Sequence, residues 1–195
     1  MISFDYKFIF IHAPKTAGNS IQSVLKKYSS DEVFNTRYKN GVLDKFGVQN
    51  FAGGKHATLN HYIRNWDDDY GKIEDYIITG CVRNPWDRAT SYYFYLGNRN
   101  FNCDSFKKST KQLLPQSHYY CCDQKNLLNC KINYENLQSD FDNFCNIVGI
   151  KKEKLPKANV SQKKTKHFKE YFKECPSADS LVRERFQKDI KFFGY

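Results

Sequence analysis

Lys15, Thr16, Asn19 and Ser20 crowd one short stretch, H-A-P-K-T-A-G-N-S over residues 12–20, and together offer a cation, two hydroxyls and a carboxamide. Such a set suits the grip of an oxyanion. The run before it, Phe8 to Ile11, is apolar and β-prone; Pro14 and Gly18 punctuate it, and Ile21, Val24, Leu25 and Tyr28 follow at helical spacing. The pattern predicts a strand from Tyr6 to His12, a tight loop, and a helix from Gly18 to about Ser30. At such a junction the loop amides and the unpaired N–H groups of the first helical turn converge on the positive helix end, a ready anion seat. An ordinary turn with a surface lysine fits the same residues, so a second feature must decide.

That feature is the stretch from Asp75 onward. D-Y-I-I-T-G-C-V, ending at Val82, predicts a buried strand that runs straight into R-N-P-W-D-R-A-T-S-Y-Y-F-Y-L. Asn84 is a good N-cap, Pro85 suits the first helical position and Asp87 the first turn. Ala89, Tyr92, Tyr93 and Leu96 mark one buried helical face. Arg83 falls at the strand's C-terminal end, where open α/β sheets bind their ligands, and its planar fork matches phosphate geometry. Ser91, two turns along, adds a hydroxyl. Two junctions furnished for anions imply a ligand with two separated anionic groups.

The elements that must position these residues read as follows. Asp31 to Gly54, broken by Gly41, Gly47, Gly53 and Gly54, predicts irregular surface structure with at most short elements. Thr58 caps a short helix carrying Leu59, Tyr62 and Ile63, before the acidic patch Asp67 to Asp69. Asp104 to Leu114 reads as helix, Cys121 to Cys130 as loop and Cys130 to Tyr134 as a third strand. Ser139 is the expected cap of an amphipathic helix that buries Phe141, Phe144, Cys145 and Val148 and stops at Gly149. Lys164 to Glu174 and Ala178 to Lys191 close the chain as helices, the second packing Leu181, Val182, Phe186 and Ile190. Strands alternating with helices predict an α/β fold, a single P-loop-like domain over residues 1–195 with a mainly parallel central sheet flanked by helices.

Composition bounds the function. With 195 residues, 40% hydrophobic and 16% aromatic, the chain can bury a sizeable core and is far from the composition of disordered chains. The formal charge of +10 calls for anionic company: nucleotide, nucleic acid, acidic glycan or membrane surface. Nine lysines and two glutamates between Lys151 and Lys173 concentrate it; they form either a solvated face or the frame of an anion-binding mouth. No apolar run approaches the ~20 residues needed to span a bilayer, and M-I-S-F-D-Y-K lacks the layout of a secretory signal, so a soluble, cytoplasmic protein without a membrane anchor is expected. Seven cysteines with no C-x-x-C pair predict free thiols; a bridge from Cys121 or Cys122 to Cys130 is the alternative for an oxidising compartment. No metal is expected, because His56 and His61 are five apart and no acidic cluster joins them. Nothing in the sequence sets an oligomeric state.

The two anion motifs, H-A-P-K-T-A-G-N-S and V-R-N-P-W-D-R-A-T-S-Y-Y, resemble the nucleotide-binding motifs of sulfotransferases that use 3′-phosphoadenosine 5′-phosphosulfate (PAPS). The nearest branch by resemblance is the glycan enzymes related to heparan sulfate O-sulfotransferases. The similarity continues in I-N-Y-E-N-L, in L-P-K-A-N-V-S and in the ending V-R-E-R-F-Q-K-D-I-K-F-F-G-Y. It implies that the loop Lys15, Thr16, Ala17, Gly18, Asn19, Ser20 holds the 5′-phosphosulfate, with Lys15 contacting the transferring group and the leaving oxygen. It implies that Arg83 and Ser91 grip the 3′-phosphate. It implies that the segment from Asn159 to Lys166 closes over the nucleotide, with Ser161, Lys163 and Lys164 as contacts. His56, in the Gly-Lys-His stretch before the second strand, falls where the uronosyl sulfotransferases keep their catalytic base. Asn19 departs from the hydroxyl residue of many relatives, and a Golgi-type anchor or stalk is not expected. The stretch between the motifs is short, so acceptor specificity does not transfer.

The expected reaction is sulfuryl transfer from PAPS to a hydroxyl acceptor, a carbohydrate, with acidic glycans included. In-line displacement needs a placed acceptor oxygen and charge stabilisation at the leaving oxygen; a histidine near neutral pH suits the base role, worth about 10²- to 10⁴-fold. His61 is the alternative base, ahead of Glu74, Asp75 and the Asp67 to Asp69 carboxylates, while His12 shapes the loop behind Pro14. Tyr92 and Tyr93 read as core aromatics. The rival readings are a non-catalytic PAPS or PAP binder and a basic nucleic-acid-binding protein, although no RNA or DNA motif is present and no nucleic acid partner is expected. A P-loop NTPase fits poorly, since Lys15 precedes Gly18 and the G-x-x-x-x-G-K-[ST] order is absent.

Overall fold

All four residues from Phe8 to Ile11 are buried to within 1% of complete exclusion from solvent, as a strand covered on both faces requires. The structure is a computed structural model that describes residues 1–39, 42–49, 54–123, 125–157 and 166–195, with backbone alone for 32–39, 42–49 and 68. In chain order its elements are β1 (Ile2–Ser3), β2 (Phe8–Ile11), α1 (Gly18–Leu25), β3 (Glu32–Lys39), β4 (Val42–Gln49), α2 (Leu59–Arg64), β5 (Ile77–Val82), α3 (Pro85–Tyr95) and α4 (Cys103–Gln112). There follow α5 (Ser117–Tyr120), β6 (Cys121–Cys122), β7 (Lys125–Asn126), β8 (Cys130–Asn133), α6 (Leu137–Val148), α7 (Phe168–Glu174), α8 (Pro176–Arg185) and α9 (Gln187–Phe193). Two units form along the chain: Met1–Val82 with Tyr119–Asn159, and Arg83–His118 with Val160–Tyr195.

The first unit carries the sheet, in strand order β1-β2-β5-β8. β2, β5 and β8 run parallel, with Ile11 opposite Gly80 and Val82 opposite Asn133, and β1 is antiparallel at the edge. This is the mainly parallel sheet the sequence predicts. Strand alternation sends Phe8, Phe10, Cys81 and Ile132 to one face, where α1 supplies Ile21, Val24 and Leu25 and α6 supplies Phe141, Phe144 and Cys145. Each such side chain, fully buried, contributes about 1.5–3 kcal/mol of transfer free energy. Gly80 points to the opposite face, where only a residue without Cβ leaves room for the Tyr120 ring; the Tyr120 hydroxyl donates to the Cys81 carbonyl at 2.7 Å.

Three expectations for this unit are corrected. Residues 32–39 and 42–49 form an antiparallel hairpin and not an irregular surface, because two runs rich in Val, Phe, Tyr and Leu pair despite the glycines that seemed to break them. The Cys121 to Cys130 loop contains the short β6–β7 ladder. α6 starts at Leu137 with Asn136 at its cap, not Ser139, since a 3₁₀ turn at Tyr134–Asn136 leads directly into it and Asp140 takes two donors of Asn133. Gly149 ends α6 in the left-handed region at φ 74°, as its position predicts.

The second unit is helical. Ala89, Tyr93 and Phe94 of α3, Phe106 of α4, Tyr171 and Phe172 of α7, and Ala178 and Val182 of α8 form its core with Phe186. Phe106 stands edge-on to Phe172 at 5.4 Å and Phe94 meets Tyr171 at 5.3 Å. Asn84 caps α3 by accepting from the Trp86 and Asp87 amides. Leu96, placed on the buried face by periodicity, is 45% exposed, because α3 ends at Tyr95 and Phe94 takes the inner position. The predicted Ala178 to Lys191 helix is two helices, α8 and α9, that meet at Phe186. Cys103 and Cys175 are disulfide-bonded with Cα atoms 5.7 Å apart, while Cys81, Cys121, Cys122, Cys130 and Cys145 are free. The all-thiol expectation is therefore corrected: the partners lie 72 residues apart, beyond the reach of any spacing argument. No helix among the described residues is long and apolar enough to cross a membrane.

Candidate active site

Between β2 and α1 the chain turns through two left-handed residues, Lys15 at φ 68° and Ala17 at φ 65°. Each conformation costs a side-chain-bearing residue about 1–2 kcal/mol, and the outlay goes into alternating the backbone around Thr16, the pattern of an anion-cradling nest. The Thr16 hydroxyl donates to the Ala13 carbonyl at 2.8 Å and closes the loop from inside, with Thr16 1% exposed. The Ser20 amide returns to the Ala17 carbonyl at 2.9 Å, and the Ser23 hydroxyl donates to the Asn19 carbonyl at 2.8 Å, closing the first turn of α1. Lys15 and Asn19 are half-buried at the rim of this turn. The six predicted residues, Lys15 to Ser20, stand together at the β2–α1 junction, Lys15 to Ala17 in the loop and Gly18 to Ser20 in the first turn of α1.

Beneath the loop lies His12. It is 5% exposed, its Nδ1 is 2.9 Å from Gln22 Oε1, and its ring packs against Gly18 so closely that a Cβ there would overlap it. Burial, reinforced by the charges of His56 and Lys55, holds its pKa well below 6.5, against a smaller upward pull from Gln22. His12 is neutral at neutral pH. Its carbonyl accepts from His56 Nδ1 at 2.8 Å, and the two rings meet at 4.5 Å. A carbonyl has no proton to give, so in the neutral imidazole His56 Nδ1 carries the hydrogen and Nε2 the lone pair. The exposed His56 is therefore in the tautomer a proton acceptor at Nε2 needs, and His12, which fulfils the predicted role of shaping the loop, joins it to Gly18. His61 is spent on capping α2: its Nδ1 takes the Thr58 amide at 3.2 Å and lies 2.8 Å from the Thr58 hydroxyl.

In the second unit, Arg83 is 7% exposed and both its Nε and one terminal nitrogen lie 2.8 Å from Asp87 Oδ2, one turn on. Ser91 follows on the same side of α3 and is 9% exposed. Asp87, read from sequence only as a favourable first-turn charge, is the residue that aims the guanidinium. The Arg83 backbone is held by Gln116, whose side chain accepts from Arg83 N and donates to Arg83 O, both at 2.8 Å. Neither Gln116 nor Gln22 carries a signal in the sequence, because each acts through one contact to a partner outside any local motif. Ser161, Lys163 and Lys164 lie outside the described residues.

A cavity of about 380 Å³ lies beside Trp66, Gly71 and Glu74, the last an alternative base by sequence, and an open one of about 530 Å³ among Trp86, Phe168, Phe172 and Arg183; Lys15 to Ser20, His56, Arg83 and Ser91 line neither. The anion-seat features are those of a loop and two helix starts. No cluster of three or more His, Cys, Asp or Glu able to hold a metal occurs among the described residues.

Residues 1–112, more than half of the chain and inclusive of both anion motifs and His56, match the model of the sulfotransferase family. A comparison with curated proteins finds no match.

Proposed function

The chain belongs to the sulfotransferase family, and from that premise we propose that it moves a sulfuryl group from PAPS to an alcohol oxygen, with a carbohydrate hydroxyl as acceptor. The observation that carries this reading is the Lys15–Ala17 loop with its two left-handed residues, tied through His12 to a histidine whose Nε2 bears a lone pair. The loop amides from Lys15 to Ser20 would hold the 5′-phosphosulfate, and Arg83 with Ser91 the 3′-phosphate, as the sequence resemblance assigns them; Ser161, Lys163 and Lys164 remain in the proposal as nucleotide contacts. In this reading the whole chain, 1–195, acts as a single P-loop-like sulfotransferase domain, and no metal takes part.

The acceptor oxygen forms a bond to sulfur as the bond between sulfur and the bridging phosphate oxygen breaks. The electron pair of that bond stays on the leaving oxygen, where the Lys15 ammonium stabilises it. The acceptor proton passes to His56 Nε2. Because His12 is neutral, the imidazolium formed at His56 does not face a second cation across the 4.5 Å between the rings.

The test is transfer from ³⁵S-labelled PAPS to a panel of neutral and acidic saccharides. Lys15→Ala is expected to abolish transfer, and His56→Ala to lower kcat about 10²- to 10⁴-fold with nucleotide binding kept. Undiminished turnover in His56→Ala removes His56 from the mechanism, and tight nucleotide binding with no transfer to any acceptor favours the non-catalytic binder.

A further inference from the structure

Arg83 follows directly on Val82, the last residue of β5, at a point where a backbone leaving a sheet loses its ladder partners. A primary amide side chain offers the same donor and acceptor as a peptide group, and Gln116 supplies both to Arg83 at 2.8 Å. Gln116 is itself wholly buried and is fixed in turn by Asp189 of α9, also at 0% exposure. Asp189 Oδ2 accepts from the Gln116 backbone N–H at 2.6 Å and from its side-chain Nε2 at 3.5 Å, and Oδ1 accepts from the Ser117 backbone N–H at 2.8 Å. A carboxylate is excluded from water only at considerable cost unless such donors meet it. The surrounding segment is clamped as well: Arg88 donates to the Leu114 carbonyl at 2.9 Å and Arg185 to Leu113 at 3.1 Å.

We propose that Gln116 and Asp189 are positioning residues for Arg83, with α9 acting through the Leu113–Ser117 segment to fix the backbone from which the guanidinium reaches a phosphate. The inference rests on the reading that Arg83 grips the 3′-phosphate. Asp87 fixes the far end of the same side chain, so Arg83 is held at both its backbone and its head group and meets its anion without further ordering. A residue that only stabilised the unit would lower stability and leave nucleotide selectivity alone. A positioning residue changes which nucleotide is preferred.

The experiment measures Kd for PAP, which carries the 3′-phosphate, and for adenosine 5′-phosphate, which lacks it, in the full chain and in Arg83→Ala, Gln116→Met and Asp189→Asn. Gln116→Met keeps side-chain length and removes both bonds to Arg83; Asp189→Asn keeps one acceptor and preserves volume, and serves if Gln116→Met does not fold. The expected result is a PAP preference reduced at least tenfold in each folded variant, with adenosine 5′-phosphate affinity within twofold of the parent. An unchanged preference in Gln116→Met and Asp189→Asn beside a lost one in Arg83→Ala overturns the positioning role alone. An unchanged preference in Arg83→Ala overturns the assignment of Arg83, and this inference with it.

Discussion

Replacing Gly18 by Ala sets helix propensity against packing, and the structure decides which wins. Gly18 opens α1, and Ala in a helix gains up to about 1 kcal/mol over Gly. The added methyl, however, would overlap the Cδ2, Nε2 and Cγ atoms of the His12 ring. That ring cannot step aside freely, since it is 5% exposed and its Nδ1 is tied to Gln22 at 2.9 Å. Forcing a methyl into a packed interior costs about 1–3 kcal/mol, and breaking a buried hydrogen bond adds about 1–3 kcal/mol. The balance is a loss of about 1–5 kcal/mol. Urea denaturation followed by circular dichroism reads it as a lower midpoint, by roughly 1 M for a 2 kcal/mol loss at a slope of about 2 kcal/mol/M. Movement of His12 also shifts the carbonyl that holds His56, so transfer should fall more than nucleotide affinity. A Gly18→Ala protein as stable as the parent, or more stable by the propensity gain, would refute the packing argument.

Two further outcomes are expected. His12 is held neutral in the fold with its pKa below the 6.5 of an exposed histidine, so the unfolded chain binds the extra proton. Its contribution is whole above pH 6.5 and is lost as pH falls below that value, at up to about 1.4 kcal/mol per pH unit; stability curves from pH 7.5 to 5 should show this slope and lose it in His12→Gln. Thiol alkylation of the denatured, unreduced chain should find five cysteines, rising to seven after reduction, and Cys103→Ser should lower stability by up to about 4 kcal/mol for a loop of 72 residues. Seven reactive thiols without reductant would remove the bridge.

How far the molecule was legible in its sequence depended on whether the information was local. Phe8–Ile11, the Pro14 and Gly18 punctuation and the helical spacing after it are neighbours in the chain, and the strand, loop and helix form where they predict. Asn84, Pro85 and Gly149 likewise act on adjacent backbone, and each sits at the predicted helix end. The β3–β4 pairing is also written in neighbouring residues, in two β-prone runs over 32–39 and 42–49, but glycines inside and beside them read as breaks. The Cys103–Cys175 bridge and the Asp189–Gln116–Arg83 relay join residues 72, 73 and 33 apart, and only packing brings them together. At the candidate site the residue types were legible. The left-handed backbone at Lys15 and Ala17 and the orientation of His56 through the His12 carbonyl were not, because a dihedral and a tautomer are set by tertiary contacts.

Calorimetric titration of the purified chain with PAP, beside ATP and a short oligonucleotide, tests the central claim most directly. Micromolar PAP binding, much weaker ATP binding, and loss of PAP binding in Arg83→Ala are expected. Absence of PAP binding, together with tight oligonucleotide binding that collapses as salt is raised, would contradict that claim.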